Sequence, residues 1–414
     1  MYQNPNPNPQ LSVPLVFSSI MRGLLIVLGA LLCLVGQGCI WGFRVSPNEF
    51  QESEVSSLMT RQPELAWQAK LPSLPAVLLP LGPDVLLVAT LRGELYSLNL
   101  KTGKQNGQMQ QSLDKPITAH LVHREGPHIY IASAQEEELR AYDLARGKIL
   151  WRTQVGAITG QLDLAGGLLL AASLTGEVSA YDINDGHLTW NKQLPGRIYQ
   201  GVWIIDDRVL VLNNAGYLYA LHVQSLSDTL RPEGEQTDKS GEGYPLLWEQ
   251  QLPVNPNAVV GSGDGLLVIG DSEGRLLVID PVGGETVFQT QLAAPIYSRP
   301  LITGDLVVAA TAAGGIIALQ RSDGSPVWQV QGEGLVRLPL MVMGGRIPQA
   351  VVVPFARGRL LALELSTGRE LWRYDLEEGS LESASLTPNG IVVGDRRRHL
   401  FFLQPPDSSA RQPE

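Results

Sequence analysis

Short apolar stretches with a two-residue alternation run along this chain, and glycine breaks them at regular intervals. Around 95–100 the pattern is plain. Leu95, Ser97 and Asn99 fall on one side, and Glu94, Tyr96, Leu98 and Leu100 on the other, which is the period of a β-strand. The unit at 157–194 contains four such stretches. Ala157 to Leu164 and Leu168 to Ser173 are the first two. Gly176 turns the chain into Val178 to Ile183, and Asn184-Asp185-Gly186 makes a hairpin into Leu188 to Leu194. Asp-Gly between apolar runs is a hairpin signal, because the turn needs positive φ.

The unit recurs. Hairpin-turn positions fall at Asn99, Asp143, Asp182, His222, Asp280, Gln320 and Glu364, mostly about 40 residues apart, which is the period of a propeller blade. In the fullest copies one glycine precedes the turn, a second follows it, and an aromatic comes next. The sets are Gly176, Gly186 and Trp190; Gly274, Gly284 and Phe288; Gly314, Gly324 and Trp328; Gly358, Gly368 and Trp372. Asn99 has Gly107 in the aromatic's place, Asp143 has Glu137 in the first glycine's place, and the aromatic for His222, Trp248, comes late. Trp67 has no complete blade before it, and the chain ends on a third strand, His399 to Leu403. Counting Trp67 gives eight fourth strands. The expected fold is therefore all-β: an eight-bladed β-propeller of four-stranded blades, closed when Glu64 to Lys70 joins the C-terminal blade. Closure removes a sheet edge that would otherwise invite aggregation. Trp67, Trp151, Trp190, Trp248, Phe288, Trp328 and Trp372 are expected to pack between blades.

The front of the chain differs. Residues 1–20 are rich in Asn, Pro and Gln; Met21-Arg22 precedes an apolar run from Gly23 to Gly36, which leads through Gln37-Gly38 to Cys39. A charged start, a short apolar core and small residues before a cysteine describe a secretory leader. The Gly38-Cys39 ending resembles the lipobox of bacterial lipoproteins, which implies lipidation of Cys39 and removal of 1–38. Gly36 and Gln37 depart from the leucine and the small residue usual there, and a start at Met21 would give a leader of ordinary length. An uncleaved anchor that adds Leu11 to Ile20 to the apolar run stays open. The expected organisation is a leader over 1–38, the lipidated cysteine and tether over 39–63, the propeller over 64–404 and a loose tail over 405–414. Ile40 after the cysteine is not the aspartate that retains lipoproteins at the inner membrane, so the resemblance implies an outer-membrane location facing the periplasm.

The net charge of −10 argues against nucleic acid. The two cysteines, Cys33 and Cys39, both lie in the leader region, so no disulfide holds the propeller. The polar segment at about 223–245 is composed like disordered chain and reads as a hairpin excursion that leaves its blade intact.

The Asp-x-x-x-Gly-x-x-x-Trp repeat resembles the quinoprotein-type propeller repeat over nearly all of 64–404. Two classes share it: the PQQ-dependent dehydrogenases and the non-enzymatic BamB-like outer-membrane assembly lipoproteins of the BAM machine. Lipobox, short tether, eight blades and N-terminal closure resemble the second, which implies no catalysis, no cofactor, a lipid-mediated membrane attachment and a BamA-like barrel-assembly partner. A quinoprotein-like enzyme and a scaffold for another envelope complex stay open. The enzymes carry an adjacent cysteine pair and an oxygen-rich calcium site; this chain has no such pair and no dense acidic–amide cluster. Asp206-Asp207 and Glu136-Glu137-Glu138 read as solvated turns. His120 and His123 point to opposite faces of a strand, and His128 follows a turn, so no metal site is expected.

Loops from second to third strand, and from each blade to the next, share one face. Arg357, Arg359, Arg396, Arg397, Arg398 and Arg92 gather in one sector of it. The resemblance places partner contacts on the connections after the third and fourth blades. Arg197 falls near the arginine used there, flanked by Ile198 and Tyr199, a hot-spot composition. The second connection, Leu252 to Asn257, lacks the family's acidic residues.

Overall fold

The computed structural model describes residues 59–109, 115–122, 128–223, 246–255, 258–344, 349–376 and 379–406. All regular structure among them is β, arranged as eight antiparallel four-stranded sheets. Seven of the sheets follow chain order, so each is one blade. Blade 3, for instance, is Asp163–Ala165, Leu168–Ala172, Glu177–Asp182 and Leu188–Gln193. First strands of neighbouring blades touch, and fourth strands carry mostly exposed residues. First strands therefore lie at the centre of the ring and fourth strands at its rim. The eighth blade takes Leu381–Thr387, Gly390–Asp395 and His399–Gln404 from the C-terminus and Glu64–Lys70 from the N-terminus. The two ends pair antiparallel from Glu64↔Gln404 to Lys70↔His399.

The second and third strands are almost wholly buried, and each apolar cluster joins two adjacent blades. One runs from Leu168, Val178 and Trp190 of blade 3 to Val209, Val211 and Tyr219 of blade 4. The core is thus a chain of joints between blades.

Each joint explains two residues of the repeat. Trp151 of blade 2 donates its indole N–H to the Ile183 carbonyl of blade 3 at 2.8 Å. Its ring covers Gly186, where a Cβ would come within 2.5 Å of the indole. Trp67, Trp248 and Trp328 make the same bond to Leu100, Pro281 and Leu365 of the following blades. The glycine after the turn and the aromatic therefore serve different joints: Trp67, Trp151, Trp248, Phe288 and Trp328 each sit on the glycine of the next blade. The glycine before the turn has another role. Gly176 has φ +87°, and its carbonyl accepts the Leu194 N–H at 2.9 Å. Glu137 and Arg398 occupy this position in blades 2 and 8 and still adopt φ 52° and 71°, a region costly for residues with a Cβ.

Ring contacts begin ahead of Glu64, which corrects the expected tether boundary. Met59 is 3% exposed, packed with Met341, Leu381 and Leu403. Its carbonyl accepts the Trp372 indole N–H at 2.8 Å. Blade 8 has no covalent hairpin between its third and fourth strands, so the incoming N-terminal segment supplies the carbonyl that a hairpin supplies elsewhere. The first strand of blade 3 is also shorter than Ala157 to Leu164. Beside the channel, Gln161 turns its backbone to the next blade: its N–H meets the Gln200 carbonyl at 2.8 Å, and its carbonyl accepts Val202 N–H at 3.0 Å.

The third-to-fourth hairpin of blade 4 stays paired from Tyr217↔Gln251 to Leu221↔Leu246 across the long excursion, whose residues 224–245 lie outside the described residues. The leader, Cys39 and the end of the tail also lie outside them. No helix occurs among the described residues.

Candidate functional site

The connection face is built from short turns on a rigid frame. A turn between second and third strands closes when the residue at the end of the second strand accepts the N–H three positions on, as Asn213 does from Gly216 and Asp271 from Gly274. A polar side chain at that same position ties down the turn. Asn213 Oδ1 accepts N–H bonds from Ala215 and Tyr217 at 2.9 Å. Buried Asp271 does the same for Glu273 and Arg275. No periodic glycine or aromatic marks this position, so the sequence pattern alone did not expose it.

Arg197 stands on the connection after blade 3 and is exposed. Its backbone N–H donates to Asn214 Oδ1 at 2.8 Å, and Asn213 Nδ2 donates to the Pro195 carbonyl at 2.8 Å. The guanidinium makes no ion pair among the described residues. Ile198 does not present itself to a partner: it is 0% exposed within the blade 3–4 cluster. Chain direction reverses its side chain into the core, and it acts as the anchor of the connection. Tyr199 is half-buried. This corner is therefore one exposed cation on a pinned loop, with Ile198 removed from the contact set.

At the next connection the absence of acidic residues from Leu252 to Asn257 is offset by the neighbouring turn. Asn255 N–H donates to Asp271 Oδ2 at 3.2 Å, and Asn255 Nδ2 to Ser272 at 3.2 Å. Glu273 beside them is 59% exposed and pairs with Arg275 at 3.1 Å. The carboxylates of this corner thus come from blade 5, a juxtaposition that only the fold provides.

The basic sector divides. Arg359 is held by Asp375 at 2.6 Å and Glu333 at 2.9 Å, and Arg398 donates to the Pro72 carbonyl at 2.9 Å. Arg357, Arg396 and Arg397 line an open groove of about 910 Å³, joined by Arg337. Arg337 comes from the blade 6–7 connection, where a lone cation between Val336 and Leu338 gave no sequence signal. Arg92 stands apart, exposed in blade 1. Of the turn acids, Glu136 and Glu138 face Arg140 at 3.5 and 2.8 Å, and Asp207 pairs with Arg208.

The central channel carries Arg299, whose guanidinium donates to Gln161 Oε1 across the ring at 3.0 Å. Burial, reinforced by the Arg299 charge, pushes His120 down to about 4. His120 and His128 belong to different strands, opposite Ile131 and Asp143 respectively; His123 lies outside the described residues. No three His, Cys, Asp or Glu side chains converge among the described residues. A channel furnished with a guanidinium, an amide and a neutral imidazole does not fit the oxygen-rich calcium site of a quinoprotein enzyme.

The eight four-stranded blades and their repeat define a quinoprotein-type propeller. A family model described as outer membrane protein assembly factor BamB matches residues 51–156, 135–229 and 240–397, and the chain belongs to that family. It is similar to the BamB of Burkholderia pseudomallei, 23% identical over 69% of this chain and 73% of that one. The Yersinia pestis BamB is 21% identical over 66% and 68%. For the Nitrosomonas eutropha BamB the figures are 29% over 38% and 36%. Among solved structures, BamB from Moraxella catarrhalis superposes with a TM-score of 0.60 at 16% identity, covering 83% of this chain and 99% of that one. The computationally designed Ika8 protein reaches 0.66 at 13% identity over the same shares. Likeness to solved structures at these identities shows the fold alone.

Proposed function

We propose that this protein is a non-enzymatic scaffold in the assembly of outer-membrane β-barrel proteins. In this reading Cys39 is lipidated and holds the ring at the outer membrane, facing the periplasm. The propeller docks on a BamA-like barrel-assembly protein through the connection after blade 3. The family membership supports the process, and one feature of the site carries the contact: Arg197 is exposed and, among the described residues, without an ion pair, on a loop whose neighbour Ile198 is fully buried. The loop backbone is already pinned, so docking has only the side chain to order. The test is complementation of a strain that lacks this protein, read as the amount of folded porin in the outer membrane. Wild type restores it, and Arg197→Glu, expressed to the same level, does not. Full restoration by Arg197→Glu sinks the proposed contact. No deficit in the deletion strain sinks the process itself.

A further inference from the structure

Blades 7 and 8 present a second feature on the connection face that the reading above does not use. The groove of about 910 Å³ is lined by Arg337, Arg357, Arg396 and Arg397 together with Leu335 and Gly379. Leu335 is 36% exposed. Glu382 beside the groove is already shared, with Arg337 at 2.9 Å and with Arg396. Arg357 makes no ion pair among the described residues. Four guanidinium groups thus face one open groove on a chain of net charge −10.

The ring supplies its own control. Arg357 and Arg397 occupy the third position of the turn between second and third strands. The same position holds Arg92 in blade 1, and Thr175, Ala215, Glu273 and Ala313 in blades 3 to 6, with the same closing bond to the residue that follows. The turn folds equally well with a methyl group, a hydroxyl or a carboxylate there. Arginine at blades 7 and 8 is therefore not a folding requirement.

We infer that this groove is a second docking site, for an acidic segment of a protein partner that carries at least one apolar side chain. Arginine forks match carboxylates in bidentate geometry, and Leu335 offers the apolar contact that a purely ionic site lacks. A polyanion such as nucleic acid would meet the negative field of the whole ring, whereas a short acidic segment meets only the local positive one. The site lies four blades round from the Arg197 connection, so one partner could be held at two points or two partners at once.

The test uses a short fluorescein-labelled peptide of alternating Glu and Leu, with Gln–Leu and Glu–Ser versions as controls, and fluorescence anisotropy on the soluble chain from residue 40 onward, all its variants included. The Glu–Leu peptide should bind, weaken steeply with salt, and lose about tenfold in affinity with Arg357→Glu. Arg197→Glu should leave it unchanged, which separates this site from the first. Arg357→Ala, which removes no ion pair among the described residues, is the second variant should the reversal disturb folding. Equal binding of the Gln–Leu peptide, or indifference to both Arg357 variants, overturns the proposal. So does capture of phosphatidylglycerol vesicles that depends on Arg357 and that the Glu–Leu peptide does not displace, because the groove would then be a lipid site.

Discussion

The joint between blades 2 and 3 and the joint between blades 7 and 8 do the same work with different covalent connectivity. In the first, Trp151 rests on Gly186 and bonds to the Ile183 carbonyl, both within one hairpin. In the second, Trp372 bonds to the Met59 carbonyl, 313 positions away in sequence. The comparison teaches that what the two joints share is an indole and a carbonyl to meet it. The joint does not need a continuous chain. A closed ring can therefore be fastened by its N-terminus, at the cost of making that fastening the joint with the greatest loop-closure entropy.

That asymmetry can be broken deliberately. Removing residues 59–70 takes away the outer strand of blade 8 and the acceptor for Trp372 together. We expect loss of a single cooperative transition and a melting temperature lower by about 10 °C or more. An unchanged melt would mean that the closing strand adds nothing to the ring. An ordinary joint should be costly but local. Trp328→Ala should cost about 3–5 kcal/mol, measured by denaturant unfolding. Adding Gly368→Ala to it should cost less than Gly368→Ala does alone, because the indole that a Cβ would strike at 2.7 Å is gone. Strict additivity would show that ring and glycine do not touch.

A smaller effect concerns the channel. His120 is held near 4 in the folded ring, against about 6.5 in an unfolded chain. Between these values the unfolded state binds a proton that the folded state refuses. Stability therefore falls as pH drops from about 6.5 towards 4, by up to ~1.4 kcal/mol per pH unit from this group. His120→Gln should flatten that slope; identical pH profiles for the two proteins would contradict the burial of the imidazole. Smallest is Glu137→Gly. It relieves a left-handed residue at φ 52° against a modest entropic cost, for a net gain of about 0.5–1 kcal/mol. A loss of stability would mean that the Glu137 side chain contributes a contact of its own.

The joints were legible in the sequence because most of them pair a glycine with an aromatic at fixed spacing, and a pairing repeated around the ring becomes a period. The closing strand was legible for the same reason, since Trp67 bears the mark of a fourth strand without a blade before it. The contact surface was far less legible. Whether a residue on a connection points out or in depends on the local turn, and so Ile198 reads as a neighbour of Arg197 yet lies in the core. Arg337 and Glu273 reach their corners from blades other than the ones they adjoin, and no spacing rule links such pairs. Met59 sits in a polar stretch whose composition gives no sign that its carbonyl completes the last joint.

The claim that the blade 3–4 connection is the working face is tested most directly by two variants side by side. Arg197→Glu alters the connection, while deletion of 224–245 alters the hairpin side, on the other face of the ring. Capture of the barrel-assembly protein from detergent-solubilised envelopes should be lost in the first and kept in the second, with both melting as wild type does. Capture kept by Arg197→Glu and lost on deleting 224–245 would place the partner on the opposite face and contradict the account.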